Sequence, residues 1–122
     1  MIVAALPLEP PHGEACWAVH FINDSADLVE SVLVEQVSYE WGDWENSEVR
    51  GLVHGPIPSG GSVLLCNETD TELRTCLRLR VRTSVGERLI CAEFGRLYRP
   101  RSCTLTTVPI LDRPGMLAVL VP

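Results

Sequence analysis

Residues 73–82 alternate between apolar and polar side chains almost without interruption, as Leu-Arg-Thr-Cys-Leu-Arg-Leu-Arg-Val-Arg. Successive side chains of a β-strand point to opposite faces, so the pattern predicts a strand with one apolar and one arginine-bearing face. We call Arg74, Arg78, Arg80 and Arg82 the arginine ladder; they are four of the 10 basic residues of the chain, all of which are arginine. The apolar face must be buried against other elements, so the chain is expected to form a β-sheet protein.

Other segments with strand character are separated by turn residues at similar intervals. Residues 28–41 also fit a helical period, but their β-branched residues favour one long strand, which we expect to contain a bulge. The proline-rich residues 1–14 are expected to run extended along the surface without regular structure. The predicted strands span 16–22, 28–41, 48–54, 62–66, 72–83, 88–94, 102–108 and 116–121. A chain of 122 residues with seven to eight such strands predicts a single all-β domain, an antiparallel β-sandwich.

The hairpin at 72–94 allows the pairing of its strands to be predicted. A turn centred on Val85-Gly86 sets Leu77 opposite Phe94, Leu79 opposite Ala92 and Val81 opposite Ile90, all apolar pairs on one face. The other face then has Glu93 opposite Arg78. In this register Cys76 and Cys91 lie ~13 Å apart along the strands, which is beyond disulfide distance.

Two short patterns resemble immunoglobulin-like and fibronectin-III-like sandwiches. Val19-x-Phe21-x-Asn23-x-Ser25 is a strand that ends in a polar turn, and Ile57-Pro58-x-Gly60-x-Ser62-Val63 is a Pro-Gly turn that leads into a strand. The chain lacks the Cys…Trp…Cys framework of antibody domains. The resemblance therefore implies an architecture and carries no activity with it.

Composition excludes several classes of protein. A net charge of −6 is unlike the basic footprint of nucleic-acid-binding domains. No apolar run reaches the roughly 18 residues of a membrane span, and the N-terminus lacks the basic region of a signal peptide. The 5 cysteines are odd in number and form no CxxC motif, so we expect a cytoplasmic protein without disulfides. Two glycosylation sequons, at Asn23 and Asn67, are interpreted as chance matches.

The arginine ladder has three interpretations. The arginines pair with acidic residues of neighbouring strands, among which Glu30, Glu35 and Glu40 are available, on a solvated surface. Alternatively, they form an interface with another protein chain, with Trp41 and Trp44 as aromatic anchors. In the third interpretation they bind a small anionic ligand.

Catalytic and metal-binding patterns are weak. His12, Cys16 and His20 have a spacing of four, which suits zinc ligands on a helix, but the neighbouring prolines disfavour a helix. A cysteine nucleophile with a histidine base would have to be assembled from Cys66 or Cys91 with His54 or His20, and no local motif supports this. We expect no enzyme activity, metal or cofactor.

Residues 42–47 are predicted to form a loop that carries Trp44 among acidic residues. Trp41 and Trp44 belong either to the core or to an exposed aromatic patch that contacts a partner. The leading functional hypothesis is a non-catalytic interaction or assembly module that binds a protein partner or itself. Its predicted binding residues are Arg74, Arg78, Arg80, Arg82, Trp41 and Trp44.

Overall fold

The structure, a computed structural model, describes residues 1–40, 44–69, 74–97 and 99–121. Strands make up most of it, with one short 3-10 helix at Pro100–Ser102. The first five strands are β1 Ile2–His12, β2 Ala15–Ile22, β3 Val29–Glu40, β4 Trp44–Ile57 and β5 Ser62–Thr69. The other five are β6 Arg74–Thr83, β7 Gly86–Arg96, β8 Thr106–Val108, β9 Arg113–Leu117 and β10 Val119–Val121.

The strands form two five-stranded antiparallel sheets that pack against each other. The first sheet has the order β5-β2-β1-β9-β8, and the second has the order β10-β7-β6-β3-β4. Both sheets contribute to one core, which the first supplies with Trp17, Val19 and Phe21 and the second with Leu77 and Leu79, all buried. The predicted all-β sandwich is confirmed, with ten strands in the described part instead of seven to eight.

The alternation in β6 gives the predicted separation of faces. Leu77, Leu79 and Val81 are fully buried between the sheets, whereas Arg80 and Arg82 are exposed on the outer face of the second sheet. The long strand β3 is also confirmed, including its irregular pairing with β4. On its other side β3 pairs antiparallel with β6, which sets Glu35 opposite Arg78.

The predicted register of the β6–β7 hairpin is wrong by two residues. The structure pairs Leu77 with Ala92 and Arg78 with Cys91, so Glu93 lies opposite Cys76. The turn is shorter than predicted because Gly86, with φ 139°, already belongs to β7. The Thr83 hydroxyl also accepts the Val85 amide and donates to the Gly86 carbonyl, which closes the turn. Cys76 and Cys91 are thus two positions apart, not four, and no disulfide joins them.

The prediction for residues 1–14 is also wrong. Residues Ile2–His12 form β1, which pairs with both β2 and β9 and therefore lies in the middle of the first sheet. Ala4, Ala5 and Leu6 are completely buried. The pairing with β2 is regular up to Pro7 and shifts before His12, so the strand accommodates its later prolines where the ladder of hydrogen bonds is irregular.

Two other boundaries differ from the predictions. Residues Trp44–Ile57 form one strand, β4, so the predicted loop at 42–47 is strand from Trp44 onward. The predicted last strand is two strands, β9 and β10, and the turn before them lies at residues 109–112. In that turn Ile110 and Asp112 have φ of 69° and 56°.

One end of the sandwich is held by the buried side chain of Asn23. Its Nδ2 donates to the carbonyls of Asp27 at 2.7 Å and Ile57 at 2.9 Å. Its Oδ1 accepts the amide and the hydroxyl of Ser25. Every donor and acceptor site of the amide is occupied, so Asn23 serves the fold, and the sequon at this position is inaccessible to a glycan.

Candidate binding face

The outer face of the second sheet brings Arg78, Arg80 and Arg82 of the arginine ladder together with residues of four other strands. We call this surface the arginine face. Its pairings run across the sheet in rows, because residues directly opposite each other share a face. The row of Arg78 is Val49, Glu35, Arg78, Cys91 and Val121, and the row of Arg80 is Leu52, Leu33, Arg80 and Leu89. The row of Cys76 is Ser47, Val37, Cys76, Glu93 and Val119, and the row of Arg82 is His54, Ser31, Arg82 and Glu87.

A chain of ion pairs occupies the centre of this face. Arg78 Nη2 lies 3.1 Å from Glu35 Oε2, and Arg80 Nε lies 3.6 Å from Glu35 Oε1. Arg80 also reaches Glu87, with Nη1 and Oε1 3.6 Å apart. The Glu35 side chain is only 12% exposed, whereas those of Arg80 and Glu87 are about half exposed. The cluster is therefore closed around Glu35 and open to solvent toward Glu87.

Arg82 continues the ladder beyond this cluster. It lies opposite Ser31 on one side and Glu87 on the other, and it is exposed. It forms no ion pair with the residues that the structure describes. The ladder thus ends in a solvent-facing guanidinium that the fold itself leaves available.

Apolar side chains flank the ion pairs on both sides. Of the ten large hydrophobic residues that are exposed in the described part of the chain, five are on the arginine face. These five are Val49, Leu52, Leu89, Val119 and Val121. Large exposed apolar patches are uncommon on monomeric proteins and are typical of interaction surfaces.

The charges of the described side chains that β3, β6 and β7 place on this face balance one another. Arg78, Arg80 and Arg82 on β6 are balanced by one glutamate of β3, Glu35, and two of β7, Glu87 and Glu93. The whole chain carries −6. The arginine face therefore lacks the excess of negative charge that the remainder of the molecule carries, and another acidic molecule meets less repulsion there.

The predicted site residues have different outcomes. Arg78, Arg80 and Arg82 share the arginine face, and Glu35 is the predicted acidic partner from the long strand. Arg74 begins β6 and Trp44 begins β4, but their side chains lie outside the described part, as does all of Trp41. The predicted hairpin already set Leu89 on the face of the arginines, but sequence reasoning missed Val49, Leu52, Val119 and Val121. Alternation within β4 and β10 would have found them only once each strand had been assigned to the second sheet.

A second polar cluster joins the two sheets at one edge of the sandwich. Arg50 lies where the pairing of β4 with β3 shifts by one residue, and such a bulge redirects a side chain. Arg50 Nη2 donates to the Asn67 carbonyl of β5 at 3.1 Å and lies 3.3 Å from Glu68 Oε1. The Cys66 thiol donates to the same carboxyl oxygen.

Burial governs the acid–base properties of this cluster. It raises the pKa of the Cys66 thiol to about 12, and the Glu68 carboxylate adds to this effect. It also raises the pKa of Glu68, although the Arg50 guanidinium opposes that shift. A thiol held protonated in this way is a poor nucleophile, and the cluster closes an edge of the fold.

Part of the outer face of the first sheet is covered by the chain itself, although Leu64 and Leu117 stay exposed. Ala4, Leu6, Ile22 and Val108 form a small buried cluster there, and Leu111 packs against it. On the same sheet, burial lowers the pKa of His20, and the Arg113 guanidinium lowers it further. His20 is therefore neutral near pH 7.

Metal and membrane sites were sought in the described ranges. In these residues no group of three or more His, Cys, Asp and Glu side chains is arranged to hold a metal ion. Nor does this part of the chain contain a helix that is long and apolar enough to cross a membrane.

Comparison with known proteins gave no relative. No family model matches the chain, and neither the curated proteins nor the solved structures include a significant match. The resemblance to immunoglobulin-like and fibronectin-III-like sandwiches accordingly stays a prediction.

Proposed function

We propose that the protein is a non-catalytic interaction and assembly module that binds another protein chain through the arginine face. The observation that carries this proposal is the coincidence of exposed apolar side chains with a charge-balanced ion cluster on an acidic chain. Arginine is among the residues that dominate binding energies at protein interfaces, and an exposed apolar patch is typical of an interaction surface. The five cysteines, none of which forms a disulfide, support a cytoplasmic location for the module.

Binding of a small anion by the ladder is less well supported. Glu35 and Glu87 already neutralise Arg78 and Arg80, so an anion at these two arginines would have to displace a carboxylate, and Arg82 offers it a single exposed guanidinium. A protein partner meets no such competition, because it can extend the existing network.

The experiment compares two matched leucines on the two sheets. Leu89 on the arginine face is 51% exposed and Leu64 on the first sheet is 50% exposed, so neither contributes much to the core. Leu89→Arg is expected to weaken complexes of the purified protein, with itself or with a co-purifying protein, at least about tenfold. Leu64→Arg is expected to leave them unchanged. Sedimentation velocity and affinity capture provide the measurement.

Two outcomes would contradict the proposal. Complexes that survive Leu89→Arg undiminished would assign the interaction to another surface. A wild-type protein that is monomeric at all concentrations and retains no partner would also overturn the proposal.

A further inference from the structure

We infer that the partner of the arginine face is a second copy of this chain, packed face to face about a two-fold axis that runs parallel to the strands between β6 and β7. This inference rests on the proposed function and specifies its partner. Closed two-fold dimers are the commonest protein assemblies, and they require a surface that is complementary to itself.

The rows of the arginine face give that self-complementarity. A two-fold axis between β6 and β7 places β6 of one copy over β7 of the other and keeps each row in place. Arg82 then lies over Glu87 of the second copy, and the symmetry repeats this contact. The same operation places Arg80 over Leu89, so the stem of the arginine packs on an apolar side chain.

Two other two-fold axes in the plane of the face bring like charges together, and a third, between β3 and β6, leaves Arg82 over Ser31 with no opposite charge. An axis along β6 itself superimposes each arginine on its own symmetry mate. An axis perpendicular to the strands reverses the rows and sets Glu87 of one copy over Glu93 of the other. Both arrangements place like charges in contact, which is costly at an interface.

Arg82 supplies the specific attraction. It has no ion-pair partner in the described part of its own chain. Glu87 is about half exposed, and its ion pair with Arg80 is long, with Nη1 and Oε1 3.6 Å apart. In the dimer each Glu87 gains a second guanidinium, so the ion cluster becomes continuous across the interface. Contacts of this kind fix the alignment of two chains.

The apolar flanks supply the contact area. The two-fold axis places β3 over β10 of the second copy, so Val119 lies over Val37, which is itself buried, and Val121 lies over Glu35. Because this axis leaves β4 without a strand opposite it, four strands about 4.8 Å apart and four rows about 6.8 Å apart overlap, an area of roughly 20 by 25 Å. That size lies at the lower end of specific interfaces, for which ~800 Å² per partner is standard.

A charge exchange between Arg82 and Glu87 tests the arrangement. Arg82→Glu alone and Glu87→Arg alone each create two like-charge contacts, so each variant is expected to dimerise at least about tenfold more weakly than the wild type. An equimolar mixture of the two variants restores both contacts and is expected to form a heterodimer of nearly wild-type strength. The double variant Arg82→Glu/Glu87→Arg is expected to dimerise with itself. Sedimentation equilibrium measures all four samples, and urea midpoints show whether each variant is folded.

The outcomes separate this inference from the proposed function. A wild-type dimer that Leu89→Arg dissociates, but whose charge variants do not complement each other, overturns the two-fold arrangement. A monomeric wild type whose complex with a different protein is lost in Leu89→Arg overturns the second copy as partner and leaves the proposed function standing. A wild-type dimer unaffected by Leu89→Arg overturns both.

Discussion

The two outer faces of this sandwich are built from the same kind of strand but are treated differently by the chain. On the first sheet, Val108 and Leu111 cover Ala4 and Leu6, so these side chains are buried within the molecule, and Leu64 at its edge strand stays exposed. On the second sheet, residues of similar character, such as Leu52 and Leu89, stay about half exposed beside a chain of ion pairs. This difference is the basis of the proposal that a partner covers the second face.

The turn that covers the first face is strained. Ile110 is a β-branched residue with φ 69°, a backbone region that such residues rarely adopt. The Asp112 amide donates to the Val108 carbonyl and holds the turn in this shape. The burial of Val108 and the packing of Leu111 therefore outweigh a local cost of about 1–2 kcal/mol.

The largest expected effect compares one leucine from each outer face. Leu6 is completely buried, so Leu6→Ala should lower the free energy of unfolding by about 3 kcal/mol, through lost burial and the cavity it leaves. Leu89→Ala should lower it by less than about 0.5 kcal/mol, because half of that side chain is already in water. Urea denaturation at a protein concentration below dimer formation measures both. Equal losses would mean that the two faces do not differ as described.

The sequence predicted which residues of the β6–β7 hairpin share a face, but not which residues lie opposite each other. A shift of two residues returns every side chain of a strand to the same face, so the wrong and the observed registers bury the same leucines of β6. The turn distinguishes them, and the left-handed conformation of Gly86 is not visible in the order of residues. The prolines of β1 misled for a different reason: β2 pairs with this strand up to Pro7, but β9, which pairs with Ala4 and Ala5 on its other side, is far away in the sequence.

The candidate site was likewise only partly predictable. The arginines and Glu35 were visible because they alternate within β6 and β3. The apolar flanks were not, because β4 and β10 lie at opposite edges of the second sheet and only the topology joins them.

The next effect concerns the buried part of the ion cluster, around Glu35. Glu35→Gln keeps the shape of the side chain but removes the charge that Arg78 and Arg80 share. Because Glu35 is only 12% exposed and Arg78 24%, we expect a loss of about 1–2 kcal/mol in the free energy of unfolding at pH 7. Glu87→Gln is the control: its side chain is 48% exposed, and the loss should stay below about 0.5 kcal/mol. Similar losses in the two variants would contradict a cluster that is closed at one end and open at the other.

A smaller effect, of opposite sign, is expected in the turn over the first face. Asparagine adopts positive φ more readily than isoleucine, and Ile110 is 51% exposed, so Ile110→Asn removes strain with little loss of burial. The free energy of unfolding should rise by about 1 kcal/mol. Leu111→Asn, one residue along, should lower it instead, because Leu111 packs on the covered cluster. Thermal unfolding of the two variants measures both changes in stability. A destabilised Ile110→Asn variant would show that the Ile110 side chain itself contributes packing.

The smallest effect concerns the edge between the sheets, which the chain also closes for itself. The pKa of Glu68 is raised in the folded state, so the folded protein retains this proton to higher pH than the unfolded chain does. The stabilising contribution of the protonated form is complete below the unfolded pKa of about 4.3 and is lost as pH rises through the folded value. Glu68→Gln should therefore match the wild type in acid and become the more stable protein toward neutral pH, as measured by urea denaturation across that range. Since Arg50 opposes the shift, Arg50→Gln should steepen the pH dependence of the wild-type carboxyl. Dimer formation by Glu68→Gln should equal that of the wild type, because this edge faces neither outer surface; a weakened dimer would extend the interface beyond the arginine face.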